Sequence, residues 1–261
     1  MQMRKYRVKY GRIHHIFISH LHGDHVFGLY GLLSSLNLIG RESPLRIYAP
    51  AGFQQILHTH LADFDIHLKF DIEFVDLQGN DPVKIFEDKN VSVLSLPLKH
   101  RIPAFGFLFR EKEKERNIIK EAISKYNIPL SDIHKIKKGA GFYTSAGKFI
   151  PNSEITRDPP EPRSFAYCSD TIYLRRMAEY VRGVDLLYHE ATFASDREDL
   201  ALKTGHSTSA QAATVASDAG VNKLIIGHFS ARYKNVLPLL EEARAIFPAT
   251  IAAEEGLVIP L

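Results

Sequence analysis

The stretch "IFISHLHGDHVFGL", residues 16–29, sets three histidines and an aspartate between His20 and His25, directly behind an apolar run. Side chains along an extended segment alternate between two faces, so His20 and His22 project to one side and can share an ion. Gly23 lets the chain turn freely, which sends Asp24 and His25 in a different direction, toward a second ion. The cluster therefore predicts two metals rather than a surface turn that happens to be rich in histidine. Imidazole nitrogen with carboxylate oxygen and no thiolate suits zinc, with Mn2+ or Fe2+ as alternatives.

Working outward, short β-rich runs alternate with helix-like stretches, the pattern of an α/β fold. Strands are predicted at 14–19, 45–49, 72–77, 83–88, 91–98, 105–110, 164–169, 184–189 and 223–228. Helices are predicted at 26–39, 51–64, 171–183, 207–220 and 236–247. Ser207 or Thr208 can cap the alanine-rich helix, and Gly220 can close it in a left-handed conformation. Three more candidate ligands, His100, Asp170 and His228, each stand at the carboxyl end of an apolar run. Ligand sites of α/β folds collect at that edge of a sheet, where residues distant in sequence converge.

The chain has 261 residues, 45% of them apolar, enough for the core of one large domain with or without an insertion. No segment approaches the roughly 20 apolar residues of a membrane span or resembles a signal peptide, so a cytoplasmic protein without a membrane partner is expected. Cys168 is the only cysteine, which excludes an intrachain disulfide, and its setting in "FAYCSD" reads as a small buried strand residue rather than a nucleophile. A net charge of +3 says little about polyanionic partners, because local clustering decides that question. From Glu111 to Arg163 the chain becomes charged and then loop-like, through "REKEKER", "HKIKKGAGF" and "RDPPEPR". An excursion of this kind is a functional arm or a solvated loop.

The His-x-His-x-Asp-His signature with later single His, Asp and His residues resembles the metallo-β-lactamase superfamily. Within it, "SHLHGDHVFGLYGLL", "KHRIPAFGF", "YHEATFASD", "GHSTSAQAA" and "IIGHFSARY" are similar to the ribonuclease Z family. The resemblance implies a four-layer αββα sandwich, read as one domain over 1–261 with an arm inserted at 111–163. It also implies N-terminal strands ahead of this chain's first residues, so an N-terminally truncated domain is expected. Its implied activity is zinc-dependent endonucleolytic removal of the 3′ trailer from precursor tRNA by a homodimer. His20, His22 and His100 would hold one Zn2+, Asp24, His25 and His228 the other, and Asp170 would bridge the pair. Asp24 would double as base, and His206, partnered by Glu190, would assist the leaving oxygen. Ser207, Thr208, Ser230 and Arg232 become candidate phosphate contacts, although the hydroxyls at 207 and 208 serve equally well as helix caps. In the arm, His134, Lys135, Lys137 and Lys138 offer a basic tip that can track phosphates without reading bases.

Other histidines carry plainer readings. His58 and His60 mimic the ligand spacing, but residues two apart on a helix face different ways. His14 and His15 lie on opposite faces of the first strand, and one is expected to pack beneath the site without ligating. His189 is open to a supporting role behind the ligands or to simple packing. Two rival functions belong to other classes: a small-molecule phosphodiesterase or other hydrolase of the same superfamily, and a catalytically impaired form that binds zinc and RNA.

Overall fold

The structure is a computed structural model that describes residues 2–261. The chain divides into two compact units, the larger from residues up to Glu87, 93–109 and 164–261, the smaller from 88–92 and 110–163.

The larger unit holds two sheets. In the first, β1 (His15–Phe17), β2 (Leu45–Pro50) and β3 (Ile72–Leu77) run parallel in that order. The second comprises β4 (Val83–Glu87), β5 (Val91–Leu98), β6 (Ala104–Glu111), β7 (Ser164–Cys168), β8 (Leu186–Glu190), β9 (Lys223–Gly227) and β10 (Thr250–Ala252). Its spatial order is β10-β9-β8-β7-β6-β5-β4. From β7 to β10 the strands are parallel, with Cys168 opposite His189 and Glu190 opposite Gly227. That register brings the residues that follow these strands to one edge.

The two sheets face each other through an aromatic core. Phe17, Tyr48 and Leu77 of the first meet Val93, Phe105 and Phe107 of the second, and Phe17 stacks on Tyr48 at 4.4 Å between ring centroids. Helices α1 (Gly23–Leu38) and α2 (Phe53–Asp63) cover the outer face of the first sheet with Leu29, Leu33, Leu36, Phe53 and Leu57. Helices α3 (Ser209–Ala219) and α4 (Leu237–Ile246) cover the second with Ala212, Ala213, Ala216, Leu240 and Ala243. Strands covered on both sides read as continuous apolar runs, which is why β2 and β5 were legible. The layers stack helix, sheet, sheet, helix, the αββα arrangement that the resemblance implies. Leu33 has no exposed surface in this packing. Leu33→Ala is expected to cost about 2–5 kcal/mol, read as a lower denaturant midpoint at unchanged slope.

Three local differences from the sequence pattern have physical causes. The helix predicted at 171–183 shrinks to Met177–Tyr180, because the Thr171 and Ile172 amides are taken by the Glu190 carboxylate and the Lys99 carbonyl. Helix α1 starts at Gly23, so the direction of the chain changes at the extended N-cap residue His22 rather than at a free glycine turn. The helix Glu198–Thr204 and strand β10 carry too short an apolar pattern to be anticipated.

The smaller unit is ordered rather than loop-like. Helices Lys120–Tyr126 and Leu130–Lys137 pack around Ala122, Ile128, Ile136, Phe142, Ile150 and Ile155. The apolar positions are single residues spaced among charges, so no long run announced them. No helix among the described residues is long and apolar enough to cross a membrane.

Candidate metal centre

The centre grows from strand ends. Ser19 follows β1, and its carbonyl accepts from the Phe105 amide at 2.8 Å, fixing the segment that carries His20. His22 is the N-cap of α1, and Asp24 and His25 lie in its first turn. His100 occupies the loop between β5 and β6, Asp170 follows β7, Glu190 ends β8, and His228 follows β9. His228 has a φ of 62°, a left-handed conformation unusual for a residue with a side chain, and such strain concentrates where a side chain must be aimed.

All seven residues expected to ligate meet here. Ligand atoms of His20, His22, His100 and Asp170 lie within 4.8 Å of one another, and those of Asp24, His25 and His228 form a second such group. Asp170 sits between them. Its Oδ2 is 3.7 Å from His20 Nε2, 3.7 Å from His25 Nε2, 4.0 Å from His100 Nε2, 3.4 Å from His228 Nε2 and 3.9 Å from His206 Nδ1. A single buried carboxylate thus faces five imidazoles.

Hydrogen bonds behind the centre fix which nitrogens are bare. The Gly205 carbonyl accepts from His100 Nδ1 at 2.7 Å, which leaves the lone pair on Nε2, facing His22 Nδ1 at 3.3 Å. The Thr192 hydroxyl donates to Glu190 Oε2 at 2.8 Å and accepts from His228 Nδ1 at 2.9 Å, so His228 Nε2 is bare as well. His20 Nε2 is wholly buried without any hydrogen-bond partner. Burying an imidazole nitrogen unpaired is costly, and a cation on that lone pair removes the cost. The donor set and the orphaned atom both fit divalent metal.

Electrostatics point the same way. Burial, with repulsion from His25, pushes His20 down to about 4, and burial also lowers His25 and His100. Neutral imidazole is the form that ligates. Asp170 resists the upward pull of burial because His228, His25 and His20 hold its carboxyl below the ordinary range. His206 is the exception among these histidines. Burial, the largest single influence, pulls it down, but the hydrogen bond from its Nδ1 to Glu190 Oε1 at 3.0 Å and the charges of Glu190 and Asp170 together outweigh that and raise it.

Two sequence-predicted phosphate contacts are not available. Ser207 is fully buried and its hydroxyl donates to the Thr171 carbonyl at 2.7 Å. Thr208 is buried as the N-cap of α3, in a capping box with Gln211. Both hydroxyls are spent inside the fold. Thr208→Ala is therefore expected to lower stability by about 1 kcal/mol in a thermal melt. Ser230 is half-buried and Arg232 exposed, with the guanidinium 3.4 Å from the Ser230 hydroxyl.

The remaining candidates fall elsewhere. In the smaller unit, Lys137 pairs with Glu115 at 3.2 Å and Lys135 with Asp132 at 3.8 Å, while Lys138 is exposed. His15 packs into the intersheet core, bonded to the Tyr48 hydroxyl at 3.2 Å and against Phe86. His58 and His60 lie on α2 against Phe74 and Tyr30, in no ligand group. His189 is fully buried, its Nδ1 donating to the Glu190 carbonyl at 2.7 Å. Thr192 and Gly205 support the ligands without having been singled out. A hydroxyl two residues beyond Glu190 and a glycine directly before His206 were the only signals they offered.

Known proteins resemble this chain in sequence and in fold. Residues 2–118 and 158–229 match the β-lactamase superfamily domain. A ribonuclease Z of Bacteroides thetaiotaomicron is 46% identical over 261 residues, 100% of this chain and 83% of the relative. A ribonuclease Z of Parabacteroides distasonis is 47% identical over 257 residues, 98% of this chain and 84% of the relative. The crystal structure of human tRNase Z, short form, superposes with a TM-score of 0.68 at 25% identity, covering 99% of this chain and 83% of that one. With a matching superfamily domain and relatives of one kind matching over the whole chain, beside two groups that together hold all seven candidate ligands, the chain belongs to the ribonuclease Z family of the metallo-β-lactamase superfamily.

Proposed function

We propose that the chain is a metal-dependent endoribonuclease that removes the 3′ trailer from precursor tRNA, using two Zn2+ per subunit. The observation that carries the reading is the single Asp170 oxygen facing five imidazoles beside the orphaned His20 Nε2. Relatives named ribonuclease Z at 40–47% identity support the substrate. His20, His22 and His100 would hold one ion, Asp24, His25 and His228 the other, with Asp170 between them. When bound, the ions supply an activated water and offset charge gathering on the phosphorus.

The protein's own groups do the rest. Asp24 has an exposed carboxylate beside His25, where it can orient the attacking water and take its proton. His206 keeps Nδ1 bonded to Glu190, so its Nε2 is the atom that delivers a proton to the leaving oxygen. His20 and Asp170 are buried at the heart of the centre, which favours a preorganised site with little reorganisation left for the reaction itself.

The smaller unit, 110–163 with 88–92, takes the part of the tRNA-binding arm, with Lys138 and the ion-paired Lys135 and Lys137 as its phosphate contacts. Exposed Phe27 and Leu38 on α1 support a homodimer, and the cytoplasm is the compartment in which precursor tRNA is met. The zinc-loaded chain should cut a precursor tRNA at the trailer junction, lose that activity to a chelator, and regain it with zinc. Metal analysis should return two ions per chain. Hydrolysis of bis(p-nitrophenyl) phosphate with no cleavage of precursor tRNA would move the assignment to a small-molecule phosphodiesterase.

A further inference from the structure

We infer that Arg101, Lys203 and Lys99 form a subsite for the phosphodiester adjoining the scissile one, so that a polynucleotide strand is gripped beside the metal centre on its His206 side. This deepens the functional reading above and rests on it. A cleft of about 300 Å³ contains His22, His100, Asp170, His206 and His228, and Arg101 forms part of its wall. A neighbouring cavity of about 260 Å³ shares His100 and Arg101 with that cleft, and Lys99, Lys203 and Gly205 complete its polar side. Three cations therefore border a space that adjoins the candidate reaction centre across His100 and Arg101.

All three side chains are exposed, and among the described residues no carboxylate lies within 4.0 Å of any of them. Arg46 and Lys84 of the same unit, by contrast, are paired with Glu73 and Glu87. Lys203 stands in the last turn of its helix, where the negative helix end favours a cation, but that accounts for one charge and not for three on one cavity. Like charges gathered without a counter-charge repel, and an anion between them relieves the repulsion.

The cluster is also held in register with the metal centre. Lys99 and Arg101 flank His100, Lys203 precedes Gly205 by two residues, and the His100–Gly205 hydrogen bond of 2.7 Å ties the two segments together. Gly205 has a φ of +85°, and a Cβ there would stand 2.7 Å from His100 Nδ1, so the close approach requires glycine. A linkage bound by these cations would thus be placed by the same hydrogen bond that orients a candidate metal ligand. A small phosphodiester carries no second phosphate and cannot use the subsite. A polynucleotide can.

The test compares the zinc-loaded wild type with Arg101→Gln, Lys203→Gln and the double variant on precursor tRNA and on bis(p-nitrophenyl) phosphate. The double variant should raise KM for precursor tRNA by about tenfold more than it alters KM for the small ester, and should flatten the salt dependence by about one unit of slope per lost contact. Precursors with a neutral methylphosphonate immediately 5′ or 3′ of the cut identify the strand. One of them should slow the wild type and leave the double variant no slower than on unmodified precursor. Equal losses on both substrates, an unchanged KM for precursor tRNA, or equal sensitivity of wild type and variant to both methylphosphonates would overturn the subsite while leaving the functional reading in place. A wild type that hydrolyses the ester and cuts no precursor overturns that reading and the subsite with it.

Discussion

Asp170→Ala should leave the chain with fewer than two zinc ions and lower precursor cleavage by on the order of 10⁴-fold. The expectation comes from position. Asp170 Oδ2 stands within 4.0 Å of nitrogens from His20, His25, His100, His206 and His228, so it reaches members of both candidate ligand groups. Alanine removes the buried negative charge that faces these imidazoles, so two dications held there would lose a shared counter-charge at once. Asp170→Asn preserves the shape while withdrawing the charge, and it should show nearly the same loss. Metal content by plasma emission, measured alongside turnover, separates the causes. A variant with two bound ions and near-normal rate would remove Asp170 from its central place.

Glu190→Ala should be the most destabilising single change at the centre. Its carboxylate is fully buried and accepts from five donors: the Thr171 amide at 3.0 Å, the Thr192 amide at 3.0 Å and hydroxyl at 2.8 Å, His206 Nδ1 at 3.0 Å, and the Ser207 amide at 3.1 Å. Truncation strands these donors in the interior, and the cost is about 3–5 kcal/mol in a denaturant titration. The milder Glu190→Gln tests the proton on His206. Glu190 raises His206 above the ordinary 6.5, so the pair's contribution to folding is complete below that value and fades as pH rises through the raised one. A general acid must stay protonated, and the alkaline limb of the pH–rate profile should therefore move to lower pH in Glu190→Gln. An alkaline limb that does not move would assign the proton to another group.

What the sequence disclosed followed from local rules. His20, His22, Asp24 and His25 are contiguous, and strands covered on both faces write their apolar runs openly, so the first ligand cluster and the strand ends carrying His100, Asp170 and His228 were legible together. Ser207 and Thr208 show the opposite situation. A hydroxyl before an alanine-rich helix looks the same whether it faces solvent or caps the helix, and only the burial around Glu190 decides it. Thr192 and Gly205 act through hydrogen bonds to histidines 36 and 105 residues away, which no local pattern encodes. The inserted segment concealed its order for a related reason. Isolated isoleucines such as Ile128, Ile136 and Ile150 form a core only after the chain has doubled back on itself.

Cys168 lies at the end of β7 with no exposed surface, and burial pushes its thiol up to about 12. A sulfur so shielded meets a disulfide reagent or maleimide only when its sheet comes apart. The chain therefore carries one internal reporter of opening: the labelling rate, followed with and without zinc, reads the free energy by which bound metal keeps the sandwich closed.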